Sequence, residues 1–204
     1  KRRPPRLGDG HPIMPLTPFQ VKVSRLLAAN RAPDSYLAGG AALHFCPNSK
    51  RYSNDLDFFH DSEERVAEAF AADRALLEKN GIEVAVQIAQ PGYVRALASK
   101  ARESTKIDWA HDSAWRFMPP VRVPGAGWAL HPIDLAVNKI LALAGRDEPR
   151  DFLDVLYAHE RMLPFAALLW AAVGKDPGFT PLSLLELARR RGRYQPIDFE
   201  RLRL

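Results

Sequence analysis

Strand-type patterning in this chain stops near residue 110. After a stretch dense in proline and glycine, helical patterning takes over. Short apolar runs bounded by turn residues fall at 36–38, 55–59, 82–89, 93–98 and 104–110. Pro91-Gly92 turns the chain between two of the last three, so these predict an antiparallel meander. Helical spacing appears before the first strand, from the Thr17-Pro18 start signal to about residue 30, and in a long segment opening at Ser62 and ending at Asn80-Gly81. Beyond Pro119, Pro120, Pro124, Gly125 and Gly127 the periodicity is helical only, at 132–144, 149–161, 164–173 and 180–191. Strands segregated from a closing run of helices define an α+β fold. The expected organisation is a basic extended arm (1–16), a mixed-sheet α/β lobe (17–123), and a helical-bundle lobe with a basic C-terminal tail (124–204). The proline- and glycine-rich stretch is read as the turn between the lobes.

A chain of 204 residues can bury a core without staples. Apolar residues at 47% and charged residues at 26% exclude disorder as a whole. Cys46 is the sole cysteine, which excludes an internal disulfide and any Cys-rich zinc site. Its lone presence makes the reducing cytoplasm the expected compartment. No apolar run is long enough to cross a bilayer, so no membrane partner is expected. The 29 basic against 24 acidic side chains give a net charge of +5, concentrated at the two ends. Arg189, Arg190, Arg191, Arg193, Arg201 and Arg203 close the chain. Such an end is either a solvated tail or a surface for a polyanion such as RNA.

The densest chemical signal joins two short segments. Gly39-Gly40 lies between a strand and the start of a helix, where bare backbone can approach a ligand and free N–H groups can meet phosphate. About fifteen residues later Asp55-x-Asp57 stands on a strand, and residues at i and i+2 share a face. Two carboxylates side by side repel one another unless a cation sits between them. Oxygen ligands of this kind suit Mg²⁺, or Mn²⁺, bridging carboxylate to phosphate. Asp108 in Lys106-Ile107-Asp108-Trp109 is the candidate third carboxylate of a two-metal arrangement. An isolated Asp-x-Asp usually caps a turn or lines a solvated strand face. Here Leu56, Phe58 and Phe59 bury the strand, so the acids need a reason.

Leu37-Ala38-Gly39-Gly40-Ala41-Ala42-Leu43, followed by Arg51-x-Ser53-x-Asp55-Leu56-Asp57-Phe58-Phe59, resembles the nucleotidyltransferases of the AbiEii/AbiGii toxin family, within the polymerase-β-like superfamily. That family carries a lysine and then an Arg-Asp-x-x-Asp element in its helical half. Lys139 and Arg150-Asp151-Phe152-Leu153-Asp154 match both, and the resemblance spans residues 36–157. Ala41 stands where relatives often carry Thr or Ser, and many relatives are longer.

The resemblance implies a Mg²⁺-dependent transfer of a nucleoside monophosphate from an NTP to an acceptor hydroxyl. It implies Asp55, Asp57, Lys139 and Asp154 as catalytic residues. Gly39, Gly40, Arg51, Ser53, Arg150 and Asp151 would serve the nucleotide, and Asp55, Asp57 and Asp108 the metal. Asp154 would orient either the acceptor or the lysine. The implied setting is the toxin of a type IV toxin–antitoxin pair, with an RNA acceptor, tRNA foremost, and a cognate antitoxin as partner. A protein hydroxyl, a small molecule such as an antibiotic, and a non-catalytic nucleotide- or partner-binding module of the same fold stay open as alternatives. The chain has no P-loop, no Gly-x-Ser-x-Gly elbow and no His-Glu-x-x-His pattern. Trp109, Trp115 and Trp128 are expected in the core, with stacking of one of them on a base as the alternative.

Overall fold

The first helix begins where a reciprocal cap satisfies its end. The Thr17 hydroxyl accepts from Gln20 N at 3.2 Å, and Gln20 Oε1 accepts from Thr17 N at 2.8 Å. In this computed structural model, residues 16–45, 53–146, 148–191, 193–200 and 202 are described. The expected arm therefore lies outside them, Leu16 excepted, as do Cys46 and Arg51.

Helix α1 (Pro18–Leu27) leads through a 3₁₀ turn to strand β1 (Ser35–Ala38), which runs straight into the five-residue helix α2 (Gly39–Leu43). Strand β2 (Asp55–His60) and helix α3 (Glu63–Lys79) follow. The meander is β3 (Glu83–Gln90), β4 (Tyr93–Lys100) and β5 (Glu103–His111). A small hairpin, β6 (Val121–Val123) and β7 (Gly127–Ala129), precedes helices α4 (Pro132–Gly145), α5 (Pro149–Arg161), α6 (Phe165–Lys175), α7 (Pro181–Arg191) and α8 (Pro196–Glu200).

The strands form one mixed seven-stranded sheet in the order β3-β4-β5-β2-β1-β7-β6. β2 pairs antiparallel with β1 and parallel with β5. The fold is α+β, as the sequence predicts. One expectation needs correcting. The glycine-rich stretch is not simply a turn: Gly125 and Gly127, at φ 82° and 76°, shape a hairpin whose second strand pairs parallel with β1. The sheet thus extends to Ala129. Strands of three residues offer too few positions for alternation to show.

The two sheet faces differ. α1 and α3 cover one, packing Phe19, Val23, Leu27, Val66 and Leu77 on Leu56, Phe58, Ile107 and Trp109. Leu56 and Phe58 are fully buried and contribute about 1.5–3 kcal/mol each. That fixes the register of β2 although its other face crowds two carboxylates. Beneath α3, Asp73 is buried and accepts from Arg31 Nη2 at 2.6 Å, Asn30 Nδ2 at 2.9 Å and Trp109 Nε1 at 2.7 Å. Trp109 is a core residue as expected, but Trp115 is 48% exposed.

Helices α4 to α7 build a separate cluster around Val137, Ile140, Val155, Leu168 and Leu184. A small third cluster of Tyr36, Ala38, Leu43, Leu130 and Leu135 joins it to the sheet. The cleft lies at this join.

Candidate active site

The alternation of β2 sends Leu56, Phe58 and His60 into the core and Asp55, Asp57 and Phe59 to the opposite face. Gln20 of α1 fixes the entry to β2, donating to the Ser53 carbonyl at 3.1 Å. Ser53 Oγ in turn donates to Asp55 O at 3.0 Å and to Asp55 Oδ1 at 3.2 Å. Ser53 is buried, so it orients the first carboxylate from behind.

Gly39 begins α2 at φ +61°, directly against Asp57. A Cβ built there would overlap the Asp57 carboxylate, at 2.6 Å from its Cγ. The glycine is required because the carboxylate occupies the space a side chain would take, a reason the sequence does not reveal. Asp57 accepts no hydrogen bond and makes no ion pair among the described residues. Its pKa is pushed up to about 7, by burial first and by the Asp55 charge second, against the lowering effect of Lys139.

The parallel pairing of β2 with β5 and the antiparallel pairing of β5 with β4 set three side chains in one row on this face: Asp57, Asp108 and Arg95. The next row is Phe59, Ala110 and Tyr93. Arg95 grips Asp108 with two parallel bonds, Nε to Oδ1 at 2.8 Å and Nη2 to Oδ2 at 2.6 Å. Tyr93 Oη donates to Oδ2 at 3.1 Å. The hydrogen bond to Asp108 is the main reason the Arg95 pKa rises further.

Helices α4 and α5 form the facing wall. Lys139 is buried, with Nζ 2.8 Å from Asp154 Oδ2 and 3.3 Å from Asp151 Oδ1. Both aspartates are fully buried, three apart on one face of α5. Arg146 closes the set, with Nε 2.5 Å from Asp151 Oδ2 and Nη2 3.0 Å from Oδ1. His44, the residue after α2, places Nε2 2.8 Å from Asp154 Oδ1. Buried carboxylates of this kind persist only when paired, and here they are paired with the cations of the cleft wall. Arg150 reaches across, with Nη1 3.6 Å from Asp55 Oδ2.

The two walls enclose a cleft of about 280 Å³. Gly39, Gly40, Asp55, Asp57, Asp108, Lys139 and Arg150 line it, as do Arg95, Tyr93 and Arg146. Asp151 and Asp154 stand behind Lys139 and hold it. Arg95, Tyr93 and His44 escape the sequence reading, because strand register and helix packing bring them in. A wider depression on α7, about 440 Å³, is lined by Glu186, Arg189, Arg190 and Arg193.

Paired carboxylates on a mixed sheet, opposed by a buried lysine from a helical wall, define the class as a nucleotidyltransferase. The family described as nucleotidyl transferase AbiEii toxin, type IV toxin–antitoxin system, matches residues 23–194. The chain belongs to that family. Among solved structures it is similar to MenT4, a nucleotidyltransferase toxin from Mycobacterium tuberculosis. That likeness has a TM-score of 0.58 and 13% identity, and covers 89% of this chain and 84% of that one. It is also similar to JHP933 from Helicobacter pylori, with a TM-score of 0.53 and 15% identity over 85% and 88% of the two chains. At these identities the likeness establishes the fold. A comparison with curated protein sequences gives no match. Among the described residues no helix is long and apolar enough to cross a membrane.

Proposed function

We propose that this protein transfers a nucleoside monophosphate from an NTP to a hydroxyl of an RNA acceptor, tRNA foremost, using Mg²⁺ or Mn²⁺. It acts in the cytoplasm as a toxin restrained by a cognate antitoxin. The observation that carries this reading is the Asp57 carboxylate. It is unpartnered among the described residues, stands beside Asp55, and faces Lys139 across the cleft. A carboxylate pair open to a cleft, with one member unpartnered among the described residues, fits a hard divalent cation. Such an ion would neutralise triphosphate charge and make the acceptor hydroxyl easier to deprotonate.

The chain's own residues supply the rest. Lys139 has three N–H donors, and Asp151 and Asp154 take two. The third is left for a phosphate oxygen. Arg146 and Arg150 add fixed positive charge on the same side, where it opposes charge developing on the departing pyrophosphate. Gly39 and Gly40 both line the cleft; Asp57 fills the space beside Gly39, so Gly40 is the glycine whose backbone phosphate would approach. The acceptor oxygen bonds to the α-phosphorus, the bond to the β-phosphate oxygen breaks, and the acceptor proton passes to solvent. Pyrophosphate leaves. The basic depression formed by Arg189, Arg190 and Arg193 suits a polyanionic acceptor.

Incubation with each of four α-³²P-labelled NTPs, Mg²⁺ and total bacterial RNA tests this reading, with Asp57→Ala as control. Label in a tRNA-sized band that disappears in the variant is the expected result. Label on protein or on a small molecule replaces the acceptor. No label on any acceptor overturns the reading in favour of a binding module.

A further inference from the structure

A two-metal arrangement needs Asp108 as a shared third ligand beside Asp55 and Asp57. The three carboxylates are not equivalent. Among the described residues Asp57 has no partner, and Asp55 has only Ser53 and the long contact with Arg150. Asp108 is largely taken: both of its oxygens accept from Arg95 and Oδ2 accepts from Tyr93 as well, which leaves one of about four acceptor sites, on Oδ1. Its side chain is 10% exposed. Fork-to-fork pairing of this kind is among the strongest that side chains make. Among the described residues, no group of three acidic, histidine or cysteine side chains is placed to hold one ion. A metal at Asp108 would find only that Oδ1 site and would stand beside a guanidinium locked on the same carboxylate, in a cleft lined by three other cations.

We propose that the cleft binds a single divalent cation, on Asp55 and Asp57, and that the Arg95 guanidinium, locked on Asp108, is the fixed positive charge where a second ion would stand. This rests on the functional reading above only for the presence of the first ion. Arg95 uses Nε and Nη2 on Asp108, while Nη1 has no partner among the described residues. The side chain is 36% exposed at the cleft. Nη1 is thus available to a substrate phosphate from the sheet side, opposite Lys139, Arg146 and Arg150. Tyr93, two residues earlier on the same strand face, fixes the anchor from the other direction. Asp108 and Tyr93 are then positioning residues for Arg95.

The test counts ions directly. Electron paramagnetic resonance of free Mn²⁺, titrated into the protein alone, should give one site per chain. Asp108→Asn should leave its affinity within about threefold, whereas Asp57→Asn should weaken it at least thirtyfold on the scale of a lost charged ligand. Pyrophosphate titrated into the Mn²⁺-loaded protein should bind at least tenfold more weakly in Arg95→Met, with Arg95→Lys intermediate and the count still one. A thermal melt on each variant confirms folding. Two sites in the wild type, or an Asp108→Asn loss as large as that of Asp57→Asn, overturns the single-ion count. Unchanged pyrophosphate affinity in Arg95→Met overturns the role of the guanidinium. Two ions with turnover sinks this inference and leaves the function intact. One ion without turnover on any acceptor does the reverse, and no ion in the wild type sinks both.

Discussion

A single methyl group on Gly39 should disable the site. The Gly39→Ala Cβ would start 2.6 Å from Asp57 Cγ and 2.9 Å from its Cβ. Ordinary carbon contact is about 3.5 Å. The carboxylate carbon must therefore retreat by roughly 0.9 Å, away from its place beside Asp55. A misplacement of about 1 Å at a reacting centre costs on the order of 10²-fold in rate, or about 2.7 kcal/mol of barrier. The backbone adds its own cost, because φ +61° suits glycine and disfavours alanine by about 1–2 kcal/mol. In a chain of this length that lowers Tm by roughly 2–8 °C. The assay pairs a thermal melt with Mn²⁺ affinity and nucleotide transfer, all at one pH. Gly145→Ala is the stability control. Gly145 ends α4 without positive φ, and a Cβ there meets nothing within 4 Å. It should be neutral or gain about 0.5–1 kcal/mol. A Gly39→Ala protein that binds Mn²⁺ and transfers nucleotide like the wild type would refute the reasoning. A lowered Tm alone would show that the backbone, not Asp57, is what the glycine serves.

Two further outcomes follow from the buried charges. Asp154→Asn removes the closest counter-charge of Lys139 and should cost about 3–5 kcal/mol in urea unfolding, while leaving the cleft lining unchanged in composition; a loss under about 1 kcal/mol would mean that Lys139 is held mainly by Asp151. His60 is buried with neither ring nitrogen partnered among the described residues, and burial pulls its pKa down to about 3. Between about pH 6.5 and 3 the unfolded chain takes a proton that the fold refuses, so this histidine lowers stability as pH falls. His60→Leu should therefore raise stability more at pH 5 than at pH 8. Asp57, whose pKa is pushed up to about 7, works the opposite way between about pH 4 and 7, so the informative quantity is the difference between variant and wild type at each pH rather than the wild-type profile. An equal gain at both pH values would contradict the His60 account.

The parts of this site that were legible are those whose spacing is local. Asp55 and Asp57 sit two apart on a strand and Asp151 and Asp154 three apart on a helix, so each pair's shared face follows from chain geometry alone. Lys139 becomes legible only through the family resemblance, because a lysine beside an apolar helical face reads equally as a snorkelling surface residue. Arg95 and His44 are different. Arg95 reaches Asp108 only because β4 pairs with β5 in one register, and a slip of one residue would send it into the core. His44 reaches Asp154 across 110 residues, through the packing of α2 near α4 and α5. No local period encodes either contact. Gly39 is an intermediate case: its position is evident from sequence, but its reason, room for a carboxylate, needs the third dimension. The β6–β7 hairpin escaped because its strands are too short to alternate visibly.

α2 has a mechanical consequence. Its first residue abuts Asp57 on the sheet, and the residue after its last grips Asp154 on the helical wall. Six residues at 1.5 Å each make a strut about 9 Å long. One end bears on the carboxylate pair and the other on the support of Lys139. Swinging the walls apart would pull a buried histidine off a buried aspartate. The strut sets the jaw width of the cleft, so the span between carboxylates and lysine is a fixed gauge for whatever the cleft admits.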